Sequence, residues 1–128
     1  MIMKKSIIFI ILNLFFMNTS FAEWILGSTT KTDTYYYEDS TIVKDGDITY
    51  IWILVDKKEV GEAGEMSTKA YLPIKCKLNQ FQLVQMIYYP KKMGSGNLIE
   101  RVDNPDIKWI AAAPGSAWAG LIKRVCGR

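Results

Sequence analysis

The stretch Ile48–Val55, Ile-Thr-Tyr-Ile-Trp-Ile-Leu-Val, constrains the fold more than any other part of the chain. Its residues are β-branched, aromatic or aliphatic, the types that suit a pleated strand. One alternating set holds Ile48, Tyr50, Trp52 and Leu54, and the other Thr49, Ile51, Ile53 and Val55. A strand with water on one face alternates apolar with polar residues. This one does not, so it reads as a central strand covered on both faces.

Ser67–Lys77 supplies the natural neighbour. There Ala70, Leu72, Ile74 and Cys76 share one face, while Lys69, Tyr71, Pro73, Lys75 and Lys77 share the other. Such alternation predicts a half-buried strand whose cysteine points into the core. Pro73 has no N–H for a ladder, which puts that position at an edge or a bulge. Further strands are expected at Trp24–Leu26, Phe81–Tyr89 and Leu98–Val102, with extended chain over Ile107–Ala112.

Tyr35–Val43 and Ile48–Asp56 form a predicted hairpin around Asp45-Gly46. A two-residue loop there pairs Val43 with Ile48, and a three-residue loop shifts the register by one, which reverses the strand's faces. Both remain open from the sequence. Thr29–Thr34, the charged Lys57–Met66 and Asp103–Asp106 with its Asn104-Pro105 read as connections, Lys57–Met66 as a long solvated one.

The last element has a different period. Trp118, Leu121, Ile122 and Val125 fall at i, i+3, i+4 and i+7, one helical stripe. Ser116 is placed to cap the N-terminus, Lys123 and Arg124 favour the last turn, and Gly127 follows as the terminating residue. The expected architecture is therefore α+β: an antiparallel sheet of about six strands with one C-terminal helix.

The N-terminus has the form of a cleavable secretory signal. Lys4 and Lys5 precede the apolar run Ile7–Phe16, and Ser20-Phe21-Ala22 offers small residues for cleavage before Glu23. The expected product is one exported domain over residues 23–128, in the periplasm, at the cell surface or secreted. No cysteine follows the cleavage site to take an acyl anchor, and no later segment is long and apolar enough to span a bilayer. Loss of the two lysines brings the 16 basic residues of the chain close to its 13 acidic ones, which gives no argument for nucleic acid or anionic membrane as partner. Cys76 and Cys126 are the only cysteines, and in an oxidising compartment one disulfide is the default. It would lay the helix across the sheet face that carries Cys76.

The second apolar face of Ile48–Val55 then needs its own cover, from curling of the sheet or from a partner subunit. A homodimer is the second expectation.

There is no histidine in the chain, which removes histidine acid–base catalysis, a Ser-His-Asp triad and histidine metal ligands. Glu38-Asp39, Asp45 with Asp47, and Asp103 with Asp106 sit at predicted turns or strand ends, where solvated acids are ordinary. Asp45-Gly46-Asp47 lacks the ligand spacing of a calcium loop. No catalytic residue, metal or cofactor is expected. Met93-Gly94-Ser95-Gly96 after Lys91 and Lys92 lacks Walker spacing and reads as a flexible loop. Lys91, Lys92, Met93, Ser95 and Asn97 are the candidate protein-binding residues, since exposed loops on a rigid scaffold commonly carry recognition.

Taken together, these residues resemble the surface-adhesin protein E family of Gram-negative bacteria. The resemblance runs from Trp24 through Tyr35-Tyr36-Tyr37-Glu38-Asp39-Ser40, Trp52, Ser67-Thr68-Lys69 and Cys76. It continues through Met93-Gly94-Ser95-Gly96, Trp109 and Pro114-Gly115-Ser116 to Cys126. It implies an antiparallel sheet with a C-terminal helix tied to it by the cysteine pair. It also implies attachment to host extracellular-matrix or serum proteins; the alternative is a periplasmic structural, assembly or ligand-binding protein with no host contact. The adhesin that gives the family its name is a lipoprotein, and this chain departs from it after Ala22.

Overall fold

The computed structural model describes residues 23–103 and 108–127. Residues 1–22, read above as a signal sequence, and Asn104-Pro105 and Ile107 lie outside them. Nine strands form one antiparallel sheet: β1 Trp24–Thr29, β2 Asp33–Glu38, β3 Val43–Asp45, β4 Ile48–Lys57, β5 Ser67–Lys75, β6 Gln80–Phe81, β7 Gln85–Tyr89, β8 Glu100–Asp103 and β9 Ile110–Ala111. One α-helix, α1, spans Ala117–Cys126.

The longest ladder is β4 with β5, in register from Ile48↔Lys75 to Asp56↔Ser67. On its other edge β4 pairs first with β3 and then with β2. On its far edge β5 pairs with β7 and then β6, and β8 and β9 extend these two. The nine strands exceed the expected six because two predicted strands are each split and the extended chain at Ile107–Ala112 supplies β9. Tyr35–Val43 breaks at Asp39–Thr41, where the Thr41 hydroxyl donates to the Glu38 carbonyl at 2.7 Å and accepts from the Trp52 N–H at 3.1 Å. A side chain thus takes the place of a backbone group in the ladder, and β3 re-enters in a new register. Phe81–Tyr89 breaks at 82–84, opposite Pro73. The Pro73 carbonyl accepts from Gln82 N at 3.0 Å, so its missing N–H faces this irregular stretch. That is the bulge the proline requires.

The hairpin register is neither of the two expected. Asp45 pairs with Ile48 and Val43 with Tyr50, leaving Gly46-Asp47 as the two-residue loop. Gly46 has φ +61° while Asp47 has no positive φ. That combination, with glycine at the first central position, is the II′ pattern that suits strand twist.

The core lies on the face of Ile51, Ile53, Ala70, Leu72 and Ile74, under Leu121, Ile122 and Val125 of α1. Ser116 caps the helix, accepting from Ala119 N at 3.2 Å, and Gly127 ends it with φ −78° rather than in the left-handed conformation. Cys76 and Cys126 are joined, 50 residues apart in sequence with Cα atoms 5.8 Å apart. The helix is therefore pinned to the sheet face that the alternation of Ser67–Lys77 indicates. Trp118 stacks on Phe81 at 4.6 Å and meets Tyr35 edge-on at 5.2 Å. Gly27 lets β1 pass beneath the helix, since a Cβ there would come within 2.4 Å of Leu121 Cδ1.

Lys57–Met66 is a solvated connection over residues 58–60 and 62–64, but Glu65 turns inward. Glu65 is only 4% exposed, and its carboxylate takes the Lys57 ammonium at 2.8 Å and the Ala63 N–H at 3.1 Å. These contacts, led by the Lys57 hydrogen bond, lower the Glu65 pKa from its ordinary value. A depressed carboxylate pKa means the native state holds the proton less tightly than the unfolded chain. The resulting stability is present above the unfolded pKa and is lost as pH falls through the folded one. Glu65→Gln is therefore expected to flatten the acid limb of a stability–pH curve below about pH 4.5. Urea titrations at pH 3 to 7 measure this, and an unchanged acid limb would remove Glu65 as its source.

Candidate protein-binding face

The second face of the sheet carries the even residues of β4 and the odd residues of β5. Cross-strand pairing sets Trp52 beside Tyr71, Tyr50 beside Pro73 and Leu54 beside Lys69. Tyr71 stacks on Tyr50 with centroids 6.1 Å apart and tilts against Trp52 at 5.2 Å. These three rings are half-buried. Lysines overlie further rings: Lys75 Nζ lies 4.1 Å from the Trp109 centroid, and Lys69 Nζ lies 5.1 Å from Tyr89 and 5.8 Å from Trp24. Each such contact is worth about 0.5–1 kcal/mol at an exposed site. The face is thus an aromatic surface studded with lysines, and its tyrosines and tryptophans are the residue types enriched at protein interfaces.

Leu54 on this face is fully buried, and neither curling nor a partner is needed to explain it. The loop over residues 90–97 folds down onto it. A Cβ on Gly94 would lie 2.6 Å from Lys69 Cε and 3.7 Å from Leu54 Cδ1, so only glycine permits this approach, at φ +66°. The chain itself supplies part of the second cover.

The same loop carries the residues singled out from sequence. Lys91, Lys92, Met93, Ser95 and Asn97 are all exposed. Their backbone, however, is fastened. Ser67, fully buried on β5, donates its hydroxyl to the Lys91 carbonyl at 2.6 Å and accepts from Gly94 N at 2.8 Å. Asp56 accepts from Met93 N at 2.8 Å, and Lys91 pairs with Ser95. Met93 is held at φ +57°, a left-handed conformation unusual for a side chain of its size. The Lys91, Met93 and Gly94 N–H groups are thus committed within the protein. The loop is a rigid display of two lysines and a methionine beside the aromatic face.

The acidic pairs stay at the periphery. Asp47 meets Lys77 at 3.5 Å, Asp103 accepts from Gln85 at 3.1 Å, and Asp106 lies outside the described residues. Among the described residues no three histidine, cysteine, aspartate or glutamate side chains cluster as a metal site would require, and no helix is long and apolar enough to cross a membrane. Sequence reasoning singled out the loop, and took surplus outward tyrosines as interface material, but did not assemble the face beside the loop. Its trace was there, in Tyr50 and Trp52 on one set of β4 and Lys69, Tyr71 and Lys75 on one set of β5.

Comparison with solved structures finds the same fold in Haemophilus influenzae protein E. Its crystal form II superposes with a TM-score of 0.64 at 14% identity, covering 85% of this chain and 91% of that one. The selenomethionine form gives 0.63 at 14%, covering 85% and 89%. Protein E from non-typeable Haemophilus influenzae gives 0.58 at 15%, covering 87% and 79%. At these identities the likeness is one of fold. Among curated proteins none matches this sequence. The family described as surface-adhesin protein E matches residues 24–127, from the first strand to the end of the helix, and this chain belongs to that family.

Proposed function

We propose that this chain is an exported, non-enzymatic domain that binds a protein partner, a host extracellular-matrix or serum protein, through the Lys91–Asn97 loop and the aromatic–lysine face beside it. The observation that carries the reading is the fastening of an exposed cationic loop by Ser67 and Asp56. A rigid backbone loses little freedom on binding, so side chains displayed on it contribute more of their contact energy to affinity. The lack of histidine and the pairing of both cysteines support a binding role over a catalytic one.

Lys91→Glu with Lys92→Glu is expected to weaken partner binding about tenfold by reversing the loop's charge. Stability should stay within about 0.5 kcal/mol, as both side chains are exposed. Surface plasmon resonance against a panel of matrix and serum proteins, paired with thermal melts, measures both. Unchanged affinity would take the loop out of the proposal.

Location decides which partner class is met. Digestion by protease added to intact cells supports host contact, whereas protection until the outer membrane is opened directs the search to an envelope protein. A homodimer formed through the aromatic face would compete with such a partner, and light scattering at high concentration tests it.

A further inference from the structure

The helix side of the sheet has an unfilled half. A ten-residue helix is about 15 Å long and about 10 Å across. Strands lie about 4.8 Å apart, so one such helix shields only a few of them. Helix α1 lies over β1 and β2 and is tied to Cys76. Toward β7 and β8 the same sheet face is left as an open groove of about 580 Å³. Its floor is Val55, Ala70, Met86 and Val102, and Tyr35 and Trp118 wall it on the helix side.

The rim is acidic. Asp33, Glu62, Glu65 and Glu100 border the groove, against the single ammonium of Lys57. That ammonium is already held by Glu65. Among the described residues, Glu62 and Glu100 are exposed and have no ion-pair partner. Burial, helped by the Asp33 charge, raises the Tyr35 pKa and keeps its hydroxyl protonated beside that rim. An apolar floor under a carboxylate rim fits a lysine or arginine side chain, whose methylene stem lies on apolar surface while its head reaches the acids. Rings at the wall add a face for a guanidinium.

The groove is also bordered by a strand edge. Among the described residues β8 pairs only with β7, and no other described strand lies on its outer edge. An open strand edge favours an extended peptide over a free polyamine, which has no main chain to pair with it.

We propose that this groove binds an extended cationic peptide segment of a partner protein, laid beside β8 with a basic side chain over Val102 and Met86. The groove and the Lys91–Asn97 loop lie on opposite faces of the sheet, so this proposal stands independently of the loop reading.

The test uses the exported protein, ¹⁵N-labelled, titrated with Ac-Leu-Arg-Val-Arg-Leu-NH2, its glutamate counterpart Ac-Leu-Glu-Val-Glu-Leu-NH2, and spermine. The expected result is saturable shifts at Met86, Glu100 and Val102 with the arginine peptide and none with the acidic one. Glu62→Lys with Glu100→Lys, both on the exposed rim and expected to leave the fold intact, should weaken that binding about tenfold or more. Four results would overturn the proposal: no saturation by the arginine peptide, equal binding of the acidic one, affinity unchanged by the charge reversal, or spermine binding at least as tightly as the arginine peptide.

Discussion

Replacing Cys76 and Cys126 together with serine is expected to lower the unfolding free energy by about 2–4 kcal/mol. The bond closes a loop of 50 residues, for which chain entropy alone gives about 4 kcal/mol before any strain is subtracted. Against a typical total of about 5–15 kcal/mol this is a large share. It falls on one element in particular. Isolated helices shorter than about 12–15 residues are marginal in water, and α1 has ten. Without the bond it is held by Leu121, Ile122 and Val125 in the core, by Trp118 against Phe81 and Tyr35, and by hydrogen bonds with Ser28 and Leu26 of β1. The melting temperature should drop by roughly 10–25 °C for a domain of this size. The wild type in reductant should melt close to the variant in buffer. Both cysteines are changed so that no free thiol remains; Cys76 Sγ lies 3.6 Å from the Thr49 hydroxyl, which a serine there could still engage. A loss below about 1 kcal/mol would mean that helix packing alone holds α1 in place.

How far the sequence discloses this architecture depends on the distance over which each feature is determined. The period of two in Ser67–Lys75 and the helical spacing of Trp118, Leu121, Ile122 and Val125 are local. Both elements, and the face on which they meet, were legible. The position of the β3–β4 turn was legible too, but its register was not. Thr41 interrupts the preceding strand by bonding to Glu38 and Trp52, and no hydropathy pattern marks a threonine for that task. Glu65 was unreadable for a related reason. A charged residue among glycines looks solvated until Lys57, eight positions earlier, is brought against it. The candidate loop was visible as a loop because of its glycines. Its rigidity was not, since the groups that fasten it, Asp56 and Ser67, lie 37 and 27 residues from their partners Met93 and Gly94. A groove between helix and sheet able to take a small molecule or peptide was foreseeable from the sequence, but its position toward β7 and β8 was not, because it arises from the mismatch between one short helix and a broad sheet.

That dependence on distant anchors makes Ser67→Ala the most informative single change in the binding loop. The lost hydroxyl leaves the Gly94 N–H without its acceptor and the Lys91 carbonyl without its donor. Both groups lie against a residue with no exposure, so water cannot readily replace the bonds. The expected cost is about 1–3 kcal/mol. It should be spent locally before it is felt globally. Met93 and Gly94 sit at φ +57° and +66°, and a left-handed methionine relaxes once its neighbours release it. Amide hydrogen exchange at Met93 and Gly94 should accelerate well beyond that of β4, while the core melts only slightly earlier. Partner binding through the loop should weaken about tenfold although both lysines remain, because the ordering cost moves from folding to binding. Charge reversal at Lys91 and Lys92 predicts a different pattern, with binding weakened about tenfold and exchange unchanged. If exchange in Ser67→Ala stays as slow as in the wild type, the loop is held instead by the close packing of Gly94 on Lys69 and Leu54. Gly94→Ala would then be the change that releases it.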